Sequence, residues 1–132
     1  METIRIPTQT KNSTDWTSYH ATSTIVGWSS FTTKLIFYTK SGKLVFFKFF
    51  LSGTSNSTAV SFTLPISSPS DGLYGEGLVS RAQDNAVNIT TACAWELAPG
   101  TNIVNCYKDH ALGVWTNTGT KRVIGQGWYQ SA

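Results

Sequence analysis

A helical period of apolar positions is nearly absent along this chain. Pro, Gly, Ser, Thr and Asn punctuate it about every eight to twelve residues, the rhythm of a β-sandwich or barrel. The clearest predicted element is a hairpin of residues 32–40 and 43–51 around Ser41-Gly42, a two-residue turn in which Gly tolerates positive φ. A symmetric register sets Lys40 opposite Lys43, Phe37 opposite Phe46 and Ile36 opposite Phe47. One face then carries Ile36, Tyr38, Val45, Phe47, Phe49 and Leu51. The other carries Leu35, Phe37, Leu44, Phe46, Lys48 and Phe50.

Strands are further predicted over 58–64, 78–82, 86–97, 102–107, 114–116 and 121–129. A long loop, 66–77, precedes the second of these, and turns fall at 98–101 and 117–120. A count near eight to ten strands is too many for one flat sheet of this size, so two packed antiparallel sheets are expected. The 132 residues make one domain, with residues 1–15 as a polar lead segment.

Both faces of the hairpin are apolar, whereas an antiparallel sheet in a monomer usually keeps one face wet. Four of the seven Phe fall between Phe46 and Phe50, an aggregation-prone run if left exposed on an edge. Its second face is covered either by a loop of its own chain or by another subunit. A closed symmetric oligomer buries such a patch without leaving a sticky edge, and this is the expectation. The Phe47 and Phe49 face is assigned to the core. Leu35, Phe37, Phe46, Lys48 and Phe50 are assigned to an interface, with the lysine reaching its rim.

Composition narrows the function classes. Charged residues make up 13% against a usual share of roughly 25%, so little charge is left to cover the surface. The net charge of +3 comes from dispersed Lys and Arg, with Lys121-Arg122 the only adjacent pair, so nucleic-acid binding is not expected. Nothing at the N-terminus reads as a signal peptide, and residues 44–51 are too short for a membrane span and are interrupted by Lys48. Synthesis in a cytoplasm without membrane insertion is therefore expected.

An ordered set of motifs runs through the chain. It consists of Trp16-Thr17-Ser18-Tyr19, then Tyr38-Thr39-Lys40-Ser41-Gly42-Lys43-Leu44-Val45, then Gly53-Thr54-Ser55-Asn56-Ser57 leading into Ser61-Phe62-Thr63-Leu64-Pro65. The closing stretch is Trp115-Thr116-Asn117-Thr118-Gly119-Thr120-Lys121 and Gly125-Gln126-Gly127-Trp128-Tyr129. Together, over roughly residues 16–130, these resemble the C-terminal domains of phage and virus tail or fibre proteins with a C1q/TNF-like jelly roll. The resemblance implies a two-sheet jelly-roll sandwich assembled as a homotrimer. It also implies a virion structural role in trimerisation and host-receptor attachment, made in the host cytoplasm, with no catalytic motif and no cofactor. Fibre domains usually follow a long shaft, whereas here only a short lead precedes the first motif.

Candidate chemistry is sparse. His20 and His110 are the only histidines, and the adjacent Asp109 and His110 point apart on an extended chain, so an active site is not expected. Asp15, Asp71, Glu76, Asp84 and Asp109 follow no calcium-loop spacing and read as solvated carboxylates, so no metal is expected. Around the Pro99-Gly100 turn a symmetric register sets Cys93 opposite Cys106 and Trp95 opposite Val104. A cross-strand disulfide is then geometrically open, although two buried free thiols fit a chain without a signal peptide better. Asn12, Asn56 and Asn88 begin sequons of the kind chance supplies in a Ser/Thr-rich chain. Tyr74, Tyr107, Trp115 and Trp128 are candidate sugar-stacking platforms. The polar loop around Asp71, Tyr74 and Glu76 is the candidate ligand-binding site, for a host glycan or protein receptor. A monomeric carbohydrate-binding module is the alternative to the trimer.

Overall fold

The computed structural model describes residues 15–132, so the lead segment and the Asn12 sequon lie outside the described residues, apart from Asp15. The described chain is all-β and antiparallel throughout. Its strands are β1 Thr17–Ser18, β2 Ile25–Val26, β3 Trp28–Ser41, β4 Leu44–Ser55, β5 Ser61–Thr63, β6 Gly75–Asp84, β7 Val87–Asn88, β8 Cys93–Leu97, β9 Ile103–Tyr107 and β10 Thr120–Gln130. They form one hydrogen-bonded path in the order β1-β3-β4-β10-β6-β8-β9-β5-β2, with β7 beside β6.

The expected two sheets are thus the two layers of a single curled sheet. Its corner is β6, which pairs with β10 through Val79–Gln83 and with β8 through Gly75–Val79. A register shift between Ile124 and Gly125 of β10 accompanies the bend, as bulges do where strands turn from one layer into another. The layers then face each other across an aromatic core. Phe47 of β4 meets Trp95 of β8 edge-on at 4.8 Å, and Phe49 lies 4.9 Å from Phe62 of β5.

Trp95 fits because its neighbours have no side chains. A Cβ at Gly77 of β6 or Gly127 of β10 would overlap its indole ring. Its Nε1–H is the only buried side-chain polar atom without a partner among the described residues.

The hairpin register differs from the symmetric expectation. Its loop is Gly42-Lys43 rather than Ser41-Gly42, with Ser41 opposite Leu44, Ile36 opposite Phe49 and Phe37 opposite Lys48. Gly42 takes φ +59° at the first loop position, where a type II′ turn requires it. Moving the loop by one residue shifts every partner by two, and two residues is one full pleat. The face assignment therefore survives. Ile36, Val45, Phe47, Phe49 and Leu51 are buried, and Tyr38 near the turn is half-buried.

Other expected strands are shorter or absent because side chains divert the backbone. The expected strand 58–64 pairs only over Ser61–Thr63, since the carbonyls of Ser57 and Ala59 turn to accept hydrogen bonds from Lys121 Nζ at 2.8 and 3.3 Å. Residues 114–116 form no strand. Trp115 donates its indole N–H to the Cys106 carbonyl at 2.8 Å, and Thr116 is bound by Asp84. The expected strand 86–97 splits into β7 and β8, and β7 folds back on β6 through Asn85-Ala86, both at positive φ. The expected 78–82 strand lengthens into β6 and shortens the preceding loop.

The second register also shifts by two. Trp95 stands opposite Cys106 and Leu97 opposite Val104, because the connection of 98–102 is longer than a tight turn. Cys93 is thereby only a diagonal neighbour of Cys106. Such positions lie about 7–8 Å apart, beyond the usual reach of a disulfide, and both thiols are free and buried.

Candidate functional site

Alternation along β4 sends Phe46, Lys48 and Phe50 to the outer face of the sheet, opposite the core. The register then fixes their neighbours. Leu35 and Ile124 flank Phe50, Phe37 and Gln126 flank Lys48, and Trp128 stands beside Phe46. All five expected interface residues therefore share one surface. Leu35 is exposed, while Phe37, Phe46, Lys48 and Phe50 are half-buried. Six of these outer-face side chains, Leu35, Phe37, Lys48, Phe50, Ile124 and Gln126, line a shallow depression of about 340 Å³. The Lys48 ammonium lies over the Trp16 ring at 4.4 Å from its centroid and 5.6 Å from that of Phe37, so its charge is held against aromatic faces.

The expected ligand loop is built by its anchors. Ser68 Oγ donates to the Ala98 carbonyl at 3.0 Å, and the Gly100 N–H donates to the Pro69 carbonyl at 3.1 Å. The Tyr129 hydroxyl donates to the Ile66 carbonyl at 2.6 Å, and burial pushes its pKa well above the ordinary phenol value. Asp71 Oδ1 accepts the Leu73 N–H at 3.0 Å in an Asx turn. The clamped base and local turn project Tyr74 outward, 55% exposed. Asp71, Tyr74 and Glu76 all line one cavity of about 310 Å³ with Trp128, Tyr129 and Gln130. Trp128 is 59% exposed, so two of the four candidate platform residues meet here. Trp115, by contrast, is buried in the core, which removes it from that role. Tyr107 is half-buried on β9.

The remaining candidate chemistry has structural partners. Asp109 Oδ1 accepts the N–H groups of Ala111 and Gly113 at 3.0 and 2.9 Å, closing the loop that carries exposed His110. His20 Nδ1 accepts the Ile36 N–H at 3.3 Å and stacks edge-on with Phe37, covering part of the β3 edge. Cys93 donates to the Lys108 carbonyl at 3.2 Å. Burial, and then the neighbouring Cys93, push the Cys106 thiol far above its ordinary value. No three His, Cys, Asp or Glu among the described residues gather to hold a metal.

Two polar features carry no local sequence signal. Lys121 is fully buried on β10, with its Nζ 5.1 Å from the Trp28 ring centroid and bonded to the two carbonyls described above. Desolvation lowers its pKa to about 8, against a weaker opposing pull from Asp84. Asp84 accepts bonds from Lys108 Nζ at 3.0 Å and from the Thr116 N–H and hydroxyl, each at 2.9 Å. Burial acts to raise its pKa, but these donors together outweigh burial and hold it below the ordinary value.

Fold and site together define an all-β module: a curled antiparallel sheet with an apolar outer face and an adjoining aromatic, carboxylate-lined cavity. No protein-family model matches the chain, and a search of curated proteins finds no match.

Proposed function

We propose that the chain is a non-enzymatic assembly and attachment module, a C1q/TNF-like jelly roll that trimerises on the surface of a virus particle and engages a host receptor. Leu35, Phe37, Phe46, Lys48 and Phe50 form the subunit contact. The loop bearing Asp71 and Tyr74, with Glu76 at the start of β6 rather than on the expected loop, faces the receptor. The observation that carries the reading is the outer face of β4, where Phe46, Lys48 and Phe50 are only half-buried and the last two line an open depression. An apolar patch of this kind on a folded chain calls for a partner, and a closed ring supplies one symmetrically. The viral setting follows from the motif resemblance, with synthesis in the host cytoplasm and the virion as destination.

Size-exclusion chromatography with light scattering tests the assembly. The expected mass is three times the 14.4 kDa of the chain, and Phe50→Asp yields monomer. A wild-type monomer at micromolar concentration removes the trimer. The exposed pair Tyr74 and Trp128 beside two carboxylates favours a second reading, a monomeric carbohydrate-binding module. Sugar binding by a wild-type monomer selects it.

A further inference from the structure

The loop cavity is one half of a longer depression. On the outer face, β6 and β8 pair Glu76 with Glu96 and Leu78 with Ala94, and Ala94 pairs in turn with Tyr107 of β9. Directly paired residues on one face stand about 5 Å apart, so the two glutamates are immediate neighbours. A second cavity of about 350 Å³ opens over them, lined by Glu76, Leu78, Glu96, Tyr107, His110 and Leu112. Glu76 lines both cavities, so the two adjoin at its side chain and together make up a groove. The Tyr107 hydroxyl is pushed up in pKa first by burial and then by Glu96, Cys106 and Tyr74, consistent with the two ends lying close together.

Two properties of the groove narrow its ligand. The first is exposed flat apolar surface. Tyr74, Trp128 and Leu78 are all more than half exposed, with the two rings at one end. Aromatic rings held out into a concave site pack against the aliphatic C–H face of a sugar ring, while nearby carboxylates accept its hydroxyl protons. The second is charge. Asp71, Glu76 and Glu96 line the groove, and among the described residues no Lys or Arg lines either cavity. Among the described residues the ion pair is Lys108–Asp84, away from the groove. In a chain of net charge +3 the groove is thus locally negative. Like charge brought against it costs binding energy, so it repels sialic acid, sulfate and phosphate groups.

We propose that this groove binds a neutral oligosaccharide long enough to span both cavities, and that it discriminates against sialylated and sulfated chains. Tyr74 and Trp128 stack on one sugar unit, and Glu76 and Glu96 accept hydroxyls from the next. The inference rests on the attachment reading for its biological setting, but every residue in the groove belongs to a single chain.

The test is an array of immobilised glycans pairing each neutral oligosaccharide with its sialylated and sulfated counterparts, probed with the full chain. The expected result is retention on neutral chains, with the anionic counterparts weaker by about tenfold or more. Tyr74→Ala and Glu96→Gln each lower the affinity for a retained neutral glycan by about tenfold in calorimetry, with the melting temperature unchanged. Glu96 tests the second cavity separately from the aromatic end. The proposal is overturned by no retention on any neutral glycan, by equal retention of sialylated partners, or by both variants binding as tightly as wild type. Light scattering on the same samples keeps the two ideas apart. A monomer that binds neutral glycans removes only the trimer, and a trimer that binds none removes only the groove.

Discussion

The two faces of β4 are built from the same residue types and meet opposite fates. Phe47 and Phe49 point inward and are buried against Trp95 and Phe62 of the opposite layer. Phe46 and Phe50 point outward beside Trp128 and Ile124 and stay half-exposed. Hydrophobicity does not distinguish the pairs. The difference lies in what the curl of the sheet brings over each face: a second layer on the inside, and on the outside only single side chains, with Trp16 against Lys48, His20 against Phe37 and the Arg122 guanidinium 5.8 Å from the Phe50 ring centroid. A strand apolar on both faces therefore carries two separate instructions, one read within the described chain and one that, on the assembly reading proposed above, is left for a partner.

The sharpest way to break this comparison is to truncate one ring on each face. Phe47→Ala removes a ring packed on all sides and is expected to cost about 3–5 kcal/mol in urea unfolding. Phe46→Ala is expected to cost about 1 kcal/mol or less in unfolding of the monomeric Phe50→Asp background, since its ring is already partly in solvent. Equal losses would mean that the outer face is covered within the chain, and the distinction drawn here would fail.

The second test overfills the inner face. Gly127→Ala adds a methyl group where the Trp95 indole already lies, and the ring cannot retreat from a packed core. A loss of about 1–3 kcal/mol is expected. The outer-face control Gln126→Ala, at an exposed position one residue away, is expected to stay within about 0.5 kcal/mol. An unchanged melting temperature for Gly127→Ala would show that the core yields more readily than close packing allows.

The smallest effect concerns Lys121, whose position on the inner face forces an ammonium into the interior. Its native pKa is lowered from 10.5 to about 8. Between those values the unfolded chain binds more protons than the native one, so this group makes stability rise with pH there. Below about 8 both states are charged and the burial penalty is felt in full. Cys93, Cys106 and Tyr129 act in the opposite sense above their ordinary values of 9.0 and 10.0, because burial keeps them protonated. The informative quantity is therefore the stability of wild type minus that of Lys121→Met, measured by chemical denaturation from pH 7 to 10. It is expected to move in favour of wild type by up to about 1 kcal/mol per pH unit above pH 8. A flat difference would mean that Lys121 keeps its charge at no cost in the interior.

Much of the site was legible one face at a time. Alternation placed Phe46, Lys48 and Phe50 together, and loop composition picked out Asp71, Tyr74 and Glu76, which line one cavity. Glu96 was not legible as their neighbour. It lies twenty residues after Glu76 in sequence, and only the β6–β8 register makes the two adjacent. Trp128 and Trp115 look alike as aromatic residues near the C-terminal end. One reaches the groove and the other the core, because β10 continues the pleat past the first while a loop turns the second inward.

By itself the sequence determined the all-β class, the punctuation into strands and the inward or outward sense of each side chain in the hairpin. Those properties depend on a period of two and on turn residues acting locally, and a register slip of two leaves them unchanged. Tertiary structure alone decided the register of both hairpins, the union of the two layers into one curled sheet, the burial of Lys121 and the joining of Glu76 to Glu96. Each depends on contacts between segments far apart in the chain, where a carbonyl, a missing Cβ or a bend in β6 selects among pairings that the local pattern leaves equivalent.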